Sequence, residues 1–300
     1  MSIMKRTVIF LSILFCAQIM ISQNINQTVK GTNGKLKLLG KIDKKGLTEE
    51  PFNDWFEQNY EAYLVNTRLV KTYKNQIEDY KVKVFLGTWC GDSKREVPRF
   101  YKVLESVKFP KDQLAVIAVD RTADAYKQSP TGEEKGLNIH RVPTFIFYKD
   151  GKEVNRIVES PKTTFELDIK AILEGKYTTN YMAAHYLEGL IKANSINSLL
   201  EMEDELVLRL SDFVKGSREL NTFGYVKLKS GAIKEAIYIF DLNAKLFPYK
   251  TNVYDSLGEA YFESKNYESA LTNYAKVLSL EPKNENAQEM ISRITAEMSK

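Results

Sequence analysis

Three hundred residues, 43% hydrophobic and 27% charged, are enough for two folded units with sizeable cores. The net charge of +4 comes from Lys and Arg interleaved with Asp and Glu, with no dense basic block, which argues against a nucleic-acid partner. Two cysteines and two scattered histidines argue against a zinc site, and no cofactor or metal is expected.

The N-terminus carries Lys5-Arg6, an apolar stretch from Val8 to Ile21, and polar Ser22-Gln23-Asn24. This is the layout of a signal peptide, and it places 1–22 as a removable segment of an exported protein. The destination is the periplasm or cell envelope, with the chain anchored there if the segment is uncleaved. Cys16 follows Phe15, the wrong neighbour for lipidation, and leaves with the signal. The mature chain then holds Cys90 alone and can form no internal disulfide.

Residues 23–34 are polar and read as frayed. Lys35 to Ile42 reads as a short strand and Glu49 to Leu64 as a helix with Pro51 in its first turn. Phe52, Trp55, Phe56, Tyr60 and Tyr63 recur at helical spacing, the mark of a core-facing stripe. A further helix is read over Thr67 to Tyr80. The apolar run Val82–Thr88 then ends in Trp89-Cys90-Gly91 and a helical pattern runs from Ser93 to Ser106, interrupted by Pro98. A strand that delivers a cysteine to a helix N-terminus puts its sulfur near free N–H groups and the positive end of the helix dipole. Both favour thiolate over thiol. Gln113–Asp120 reads as a buried strand, Arg121–Gly136 as a polar loop, and Thr144–Tyr148 and Glu153–Val158 as a hairpin around Asp150-Gly151. Thr163–Leu173 closes the region as a helix. The order predicts an α/β layer with helices on both faces of a sheet.

Residues about 80–175 resemble a thioredoxin domain. The resemblance rests on four features in order: Trp89-Cys90-Gly91 opening a helix, Pro98 eight residues after the cysteine, Arg141-Val142-Pro143-Thr144 at the cis-proline loop, and the Asp150-Gly151 hairpin. It implies a thioredoxin fold over 35–175, with a central mixed sheet and flanking helices. It also implies that Cys90 is the nucleophile and that Trp89, Gly91, Asp92, Val142 and Pro143 border the substrate groove, with Pro143 cis.

Three departures stand out. Ser93 replaces the second cysteine, leaving a monothiol C-x-x-S motif that stops at the mixed disulfide unless an external thiol completes exchange. Ser93 can instead donate a hydrogen bond to the Cys90 thiolate. Val84 and Val116 stand where dithiol thioredoxins carry a buried acid and its lysine. Asp92 replaces the usual proline, and is expected to cap the helix while opposing the nearby thiolate. His140 reads either as a base near Cys90 or as a surface-loop histidine.

After Gly175 the chain turns all-helical. Residues 176–216 read as a bridge or degenerate repeat. A 34-residue repeat then maps Leu220, Phe223, Gly224, Ala236, Phe240 and Pro248 onto Tyr254, Leu257, Gly258, Ala270, Tyr274 and Pro282. These resemble tetratricopeptide signature positions, which gives two repeats and a capping helix within 217–300. The resemblance implies a groove for a peptide or protein ligand.

Two functions follow. One is exported thiol–disulfide exchange by Cys90, with Ser93 in support and clients recruited by the repeats. Its partners would be a protein client with a disulfide or thiol and an external reducing thiol or redox protein. The alternative is an inactive thioredoxin-fold scaffold whose repeats bind proteins.

Overall fold

A computed structural model describes residues 25–300; the expected signal segment over 1–22 and Cys16 lie outside the described residues. Among the described residues no helix is long and apolar enough to cross a membrane.

The first unit is a six-stranded mixed sheet in the order β1-β2-β4-β3-β5-β6. Its strands are β1 (Gln27–Lys30), β2 (Leu36–Ile42), β3 (Lys81–Leu86), β4 (Leu114–Ala118), β5 (Thr144–Lys149) and β6 (Lys152–Val158). Only the β3–β4 pair is parallel; the other pairs are antiparallel. Residues 23–34 are therefore not wholly frayed, because Gln27–Lys30 pairs along β2 as an edge strand. The β5–β6 turn uses Asp150 and Gly151, both at positive φ (51° and 76°), as the two-residue hairpin requires.

Between β2 and β3 run four helices: α1 (Lys44–Thr48), α2 (Asn53–Ala62), α3 (Thr67–Lys71) and α4 (Lys74–Ile77). The expected helix over Thr67–Tyr80 is thus two short ones. Pro51 precedes α2 in a cis peptide rather than occupying its first turn. Helix α5 (Gly91–Ser106) follows β3, and α6 (Phe165–Leu173) follows β6, capped by the Thr164 hydroxyl.

Alternation in β3 assigns the two cores. Val82, Val84 and Leu86 face a large core shared with α2, α5 and α6. There Phe100 of α5 lies 4.5 Å from Phe145 and 5.2 Å from Phe165, ring centroid to centroid. Each such pair adds about 0.5–1.5 kcal/mol beyond its area burial, and together they fix the axis of α5. Phe85 points the other way, into a smaller core with Ile117 and Ile146. Loop residues Val119, Ile139 and Val142 close that core, where a helix was expected, and Trp89 and Cys90 sit at its margin.

The second unit is helical: α7 (Met182–Ala193), α8 (Ile196–Glu201), α9 (Glu203–Ser211), α10 (Ser217–Lys229), α11 (Ile233–Leu246), α12 (Thr251–Glu263), α13 (Tyr267–Leu280) and α14 (Glu285–Met298). Helices α10 to α14 pack successively, each against the next. Glycine permits the close approach within each pair. A Cβ on Gly224 would lie 2.4 Å from the buried Phe240 ring, and one on Gly258 would lie 2.9 Å from Tyr274. Ala ordinarily gains about 1 kcal/mol over Gly inside a helix. The Phe240 overlap should reverse that sign, so Gly224→Ala is expected to lower stability by about 1–3 kcal/mol. Gly258→Ala should lose less than half as much, both read by urea unfolding.

Candidate functional site

Strand β3 ends at Leu86 and the chain turns through Gly87-Thr88-Trp89 into α5. The turn needs glycine at 87, since a Cβ there would lie 2.4 Å from the Trp89 indole. That indole is held by a 2.9 Å hydrogen bond from Nε1 to the Val119 carbonyl. Cys90 is the N-cap residue of α5, but its side chain makes no capping bond, so the first-turn N–H groups remain open toward it. The Cys90 thiol is partly exposed and donates to the Val142 carbonyl across 3.3 Å. The Val142–Pro143 peptide is cis. Thus partly exposed Trp89 and Cys90 rest on the smaller core at Val142, and Val142 and Pro143, expected to border a groove, are themselves buried. Gly91 faces open space, where an added Cβ would touch nothing.

Two expected interactions are replaced. Ser93 is fully buried, and its hydroxyl accepts from the Gly87 N–H at 3.2 Å, while the sulfur's partner is the Val142 carbonyl. Serine at 93 therefore braces the turn behind the cysteine. Asp92 sits in the first turn without capping it; its carboxylate pairs with Arg95 at 2.7 Å. Val84 and Val116 are cross-strand neighbours in the parallel β3–β4 register, both buried. No acid–lysine relay occupies that place.

Lys127 is the residue the sequence left hidden. It lies in the loop after β4, at a positive φ of 55°, where its N–H bonds to the Asp120 carbonyl at 2.9 Å. Its side chain is 7% exposed and forms no salt bridge among the described residues. Its ammonium lies 3.6 Å from the centroid of the Tyr126 ring and hydrogen-bonds to the Tyr126 hydroxyl. Burial, reinforced by the Arg141 charge, pushes Lys127 down to about 7, against the opposing pull of Cys90 and Glu159. An amine that titrates near neutrality therefore shares the electrostatic field of the only cysteine in this unit. Nothing in the local sequence marks it, because Cys90 is 37 residues away.

His140 is corrected on both counts. It is neither on the surface nor bonded to Cys90. Its ring is buried against Tyr181 and Phe223, with centroids 5.9 and 6.3 Å away, and Nδ1 lies 3.3 Å from the Asn138 carbonyl. Burial pushes His140 down to about 3, so the ring stays neutral.

Those contacts also join the two units. Arg141, next to Val142, pairs with Glu159 at 2.8 Å and lies 4.6 Å from the centroid of the Tyr181 ring. Gln128 donates to the Lys229 carbonyl at 2.9 Å, and Tyr126 meets Tyr225 edge-on at 6.3 Å. Helix α10 therefore stands against the loops that flank the thiol.

Behind Trp89 lies a buried ion pair between Lys37 and Asp120. Burial alone would raise the Asp120 carboxyl, but Lys37 and the N–H groups of Arg121 and Thr122 hold it below the usual range. The adjacent Thr88 hydroxyl accepts from the Leu38 N–H at 3.1 Å, tying β2 to the turn.

The sequence matches the family model described as Thioredoxin over residues 49–171. A thioredoxin of Aspergillus fumigatus is 29% identical over 104 residues, covering 34% of this chain and 87% of the relative. An H-type thioredoxin of Picea mariana is 32% identical over 95 residues, covering 32% of this chain and 68% of the relative. A putative thioredoxin of Dictyostelium discoideum is 30% identical over 125 residues, covering 42% of this chain and 98% of the relative.

Proposed function

The chain belongs to the thioredoxin family, and from that premise we propose that it performs thiol–disulfide exchange through a single cysteine, Cys90. The observation that carries this reading is the meeting of a partly exposed Cys90 thiol at the head of α5 with the Val142 carbonyl of the cis-proline loop, 3.3 Å away. In the proposed step the Cys90 sulfur attacks one sulfur of a client disulfide. The new S–S bond forms as the old one breaks, and the leaving sulfur departs with the electron pair. Lys127 acts on the sulfur through its charge: its ammonium form favours the Cys90 thiolate, and the thiol proton passes to solvent and returns from it to the leaving sulfur. Client and Cys90 end as a mixed disulfide with one free client thiol. Ser93 offers no second thiol, so release falls to an external thiol that attacks the mixed disulfide in turn.

The helical unit fits a role in holding clients. Its 34-residue spacing and the two glycine-on-aromatic contacts favour tetratricopeptide-type repeats. The Lys5-Arg6 and apolar opening of the sequence favours export to an oxidising compartment, where client disulfides exist.

The test uses the full chain carrying Cys16→Ser, so that Cys90 is the only thiol, with insulin as disulfide substrate. A Cys90–insulin adduct that accumulates and is released by added glutathione is expected. Ser93→Cys, one helical turn from Cys90, should then shorten the life of that adduct without glutathione, by supplying the missing second thiol. An absence of any adduct across neutral to alkaline pH overturns the exchange reading and favours the scaffold alternative.

A further inference from the structure

A cleft of about 170 Å³ opens beside Trp89, between the β1–β2 turn and the start of α5. Lys35, Lys37, Lys94 and Arg121 line it, together with Thr88 and Trp89, and no carboxylate does. Of the four cations only Lys37 is neutralised, by Asp120; Lys35, Lys94 and Arg121 have no salt-bridge partner among the described residues. The neighbouring acid, Asp92, is already occupied by Arg95. Three uncompensated cations thus converge in one recess beside Trp89, the residue before the nucleophile, on a chain whose net charge is only +4. Uniform surface charge does not produce such a concentration. A recess of one sign, walled by protein, strengthens the local potential and raises the arrival rate of opposite charge.

We propose that this cleft selects protein clients that carry an acidic segment beside the reacting cysteine. The inference rests on the exchange reading of Cys90 and adds the class of substrate. A client whose disulfide lies over Cys90 would run past Trp89, and Asp or Glu side chains a few residues along would enter the recess. Lys94 lies four residues after Cys90 on α5, and Arg121 follows the Asp120 that anchors Lys37, so two of the three free cations come from the elements on either side of the Trp89 turn in sequence. Carboxylates there would be steered on approach and held during attack.

The experiment compares three synthetic disulfide peptides, identical except for two Glu, two Gln or two Lys beside one cysteine. Adduct formation at Cys90 is followed with the full chain carrying Cys16→Ser. The Glu peptide is expected to react about tenfold faster than the Gln peptide at low ionic strength, and the Lys peptide slower still. The advantage should shrink severalfold in 0.5 M NaCl. In the double variant Lys94→Glu, Arg121→Glu the order of Glu and Lys peptides should invert. That ratio is internal to each protein, so a general change in Cys90 reactivity does not mimic it. Equal rates for the three peptides, or an order unmoved by the double variant, overturn acidic selection and leave exchange at Cys90 standing. If none of the three peptides forms an adduct, both readings fall.

Discussion

Replacing Cys90 with serine is expected to abolish covalent client capture outright and bring disulfide exchange to the uncatalysed rate. A hydroxyl cannot form the S–S bond, and Ser93, the nearest candidate substitute, is buried with its oxygen committed to the Gly87 N–H at 3.2 Å. The fold should not suffer. Cys90 occupies the N-cap of α5 without making a capping bond, and serine is among the favoured residues at that position. Cys90→Ser should therefore leave thermal stability unchanged or raise it by up to about 1 kcal/mol. Loss of the adduct with an unchanged melting profile would place the function in the sulfur. If the parent chain binds a client without an adduct and Cys90→Ser binds it equally, the helical unit alone is responsible.

Lys127→Met should have the second-largest effect, and in opposite directions for activity and stability. In the folded chain burial pushes this amine down to about 7, whereas in the unfolded chain a lysine titrates near 10.4. Between those values the unfolded chain holds a proton that the folded chain lacks, so stability rises with pH across that window. Below about pH 7 the folded state carries the whole penalty of a buried ammonium without a carboxylate partner. Methionine removes it. The variant is expected to be more stable than the parent by on the order of 2 kcal/mol at pH 6, after allowing for the lost contact with Tyr126, and to converge with it toward pH 10. Exchange should slow severalfold below about pH 7, where the ammonium favours the thiolate, and the step near pH 7 should go from the rate profile. Urea titrations at both pH values and adduct rates from pH 5 to 9 test the two halves. A variant that is less stable at pH 6, or whose profile keeps that step, removes Lys127 from the reaction. The groups that share its surroundings are Cys90, Arg141, Glu159, Tyr126 and His140, with Glu134 and Glu188 lining the same cleft, and none of the three carboxylates pairs with it.

What the sequence disclosed follows the range of the forces involved. The strand, the turn and the helix around Cys90 depend on neighbours within a dozen residues, and the apolar run, Trp89-Cys90-Gly91 and Asp150-Gly151 stated them directly. The glycine-on-aromatic pairs were legible because a repeat prints the same contact twice. Polar Gln27–Lys30 was not legible as a strand, because pairing with β2, rather than its own pattern, makes it one. His140 was misread because what buries it, Phe223, stands 83 residues later in the other unit. Lys127 is illegible in sequence for the same reason: the loop bond between residues 120 and 127 and the arrival of Tyr225 against Tyr126 help to enclose it. Asp92 reads as a cap because helix starts favour that use, whereas in the fold its carboxylate pairs with Arg95 one turn on.

The connection between the units has a consequence for client choice. Only residues 174–181 separate α6 from α7, and they are pinned: Asn155 donates to the Tyr177 carbonyl at 2.8 Å, Asn180 donates to the Ser160 carbonyl at 2.7 Å, and Tyr181 bonds to Glu159. A flexible tether would let a captured partner explore many positions and raise its local concentration at the thiol for almost any partner. A pinned joint gives no such averaging. It would act as a ruler: if the helices hold clients as proposed, a gripped partner would meet Cys90 only where its own sulfur lies at the one matching span from the gripped segment.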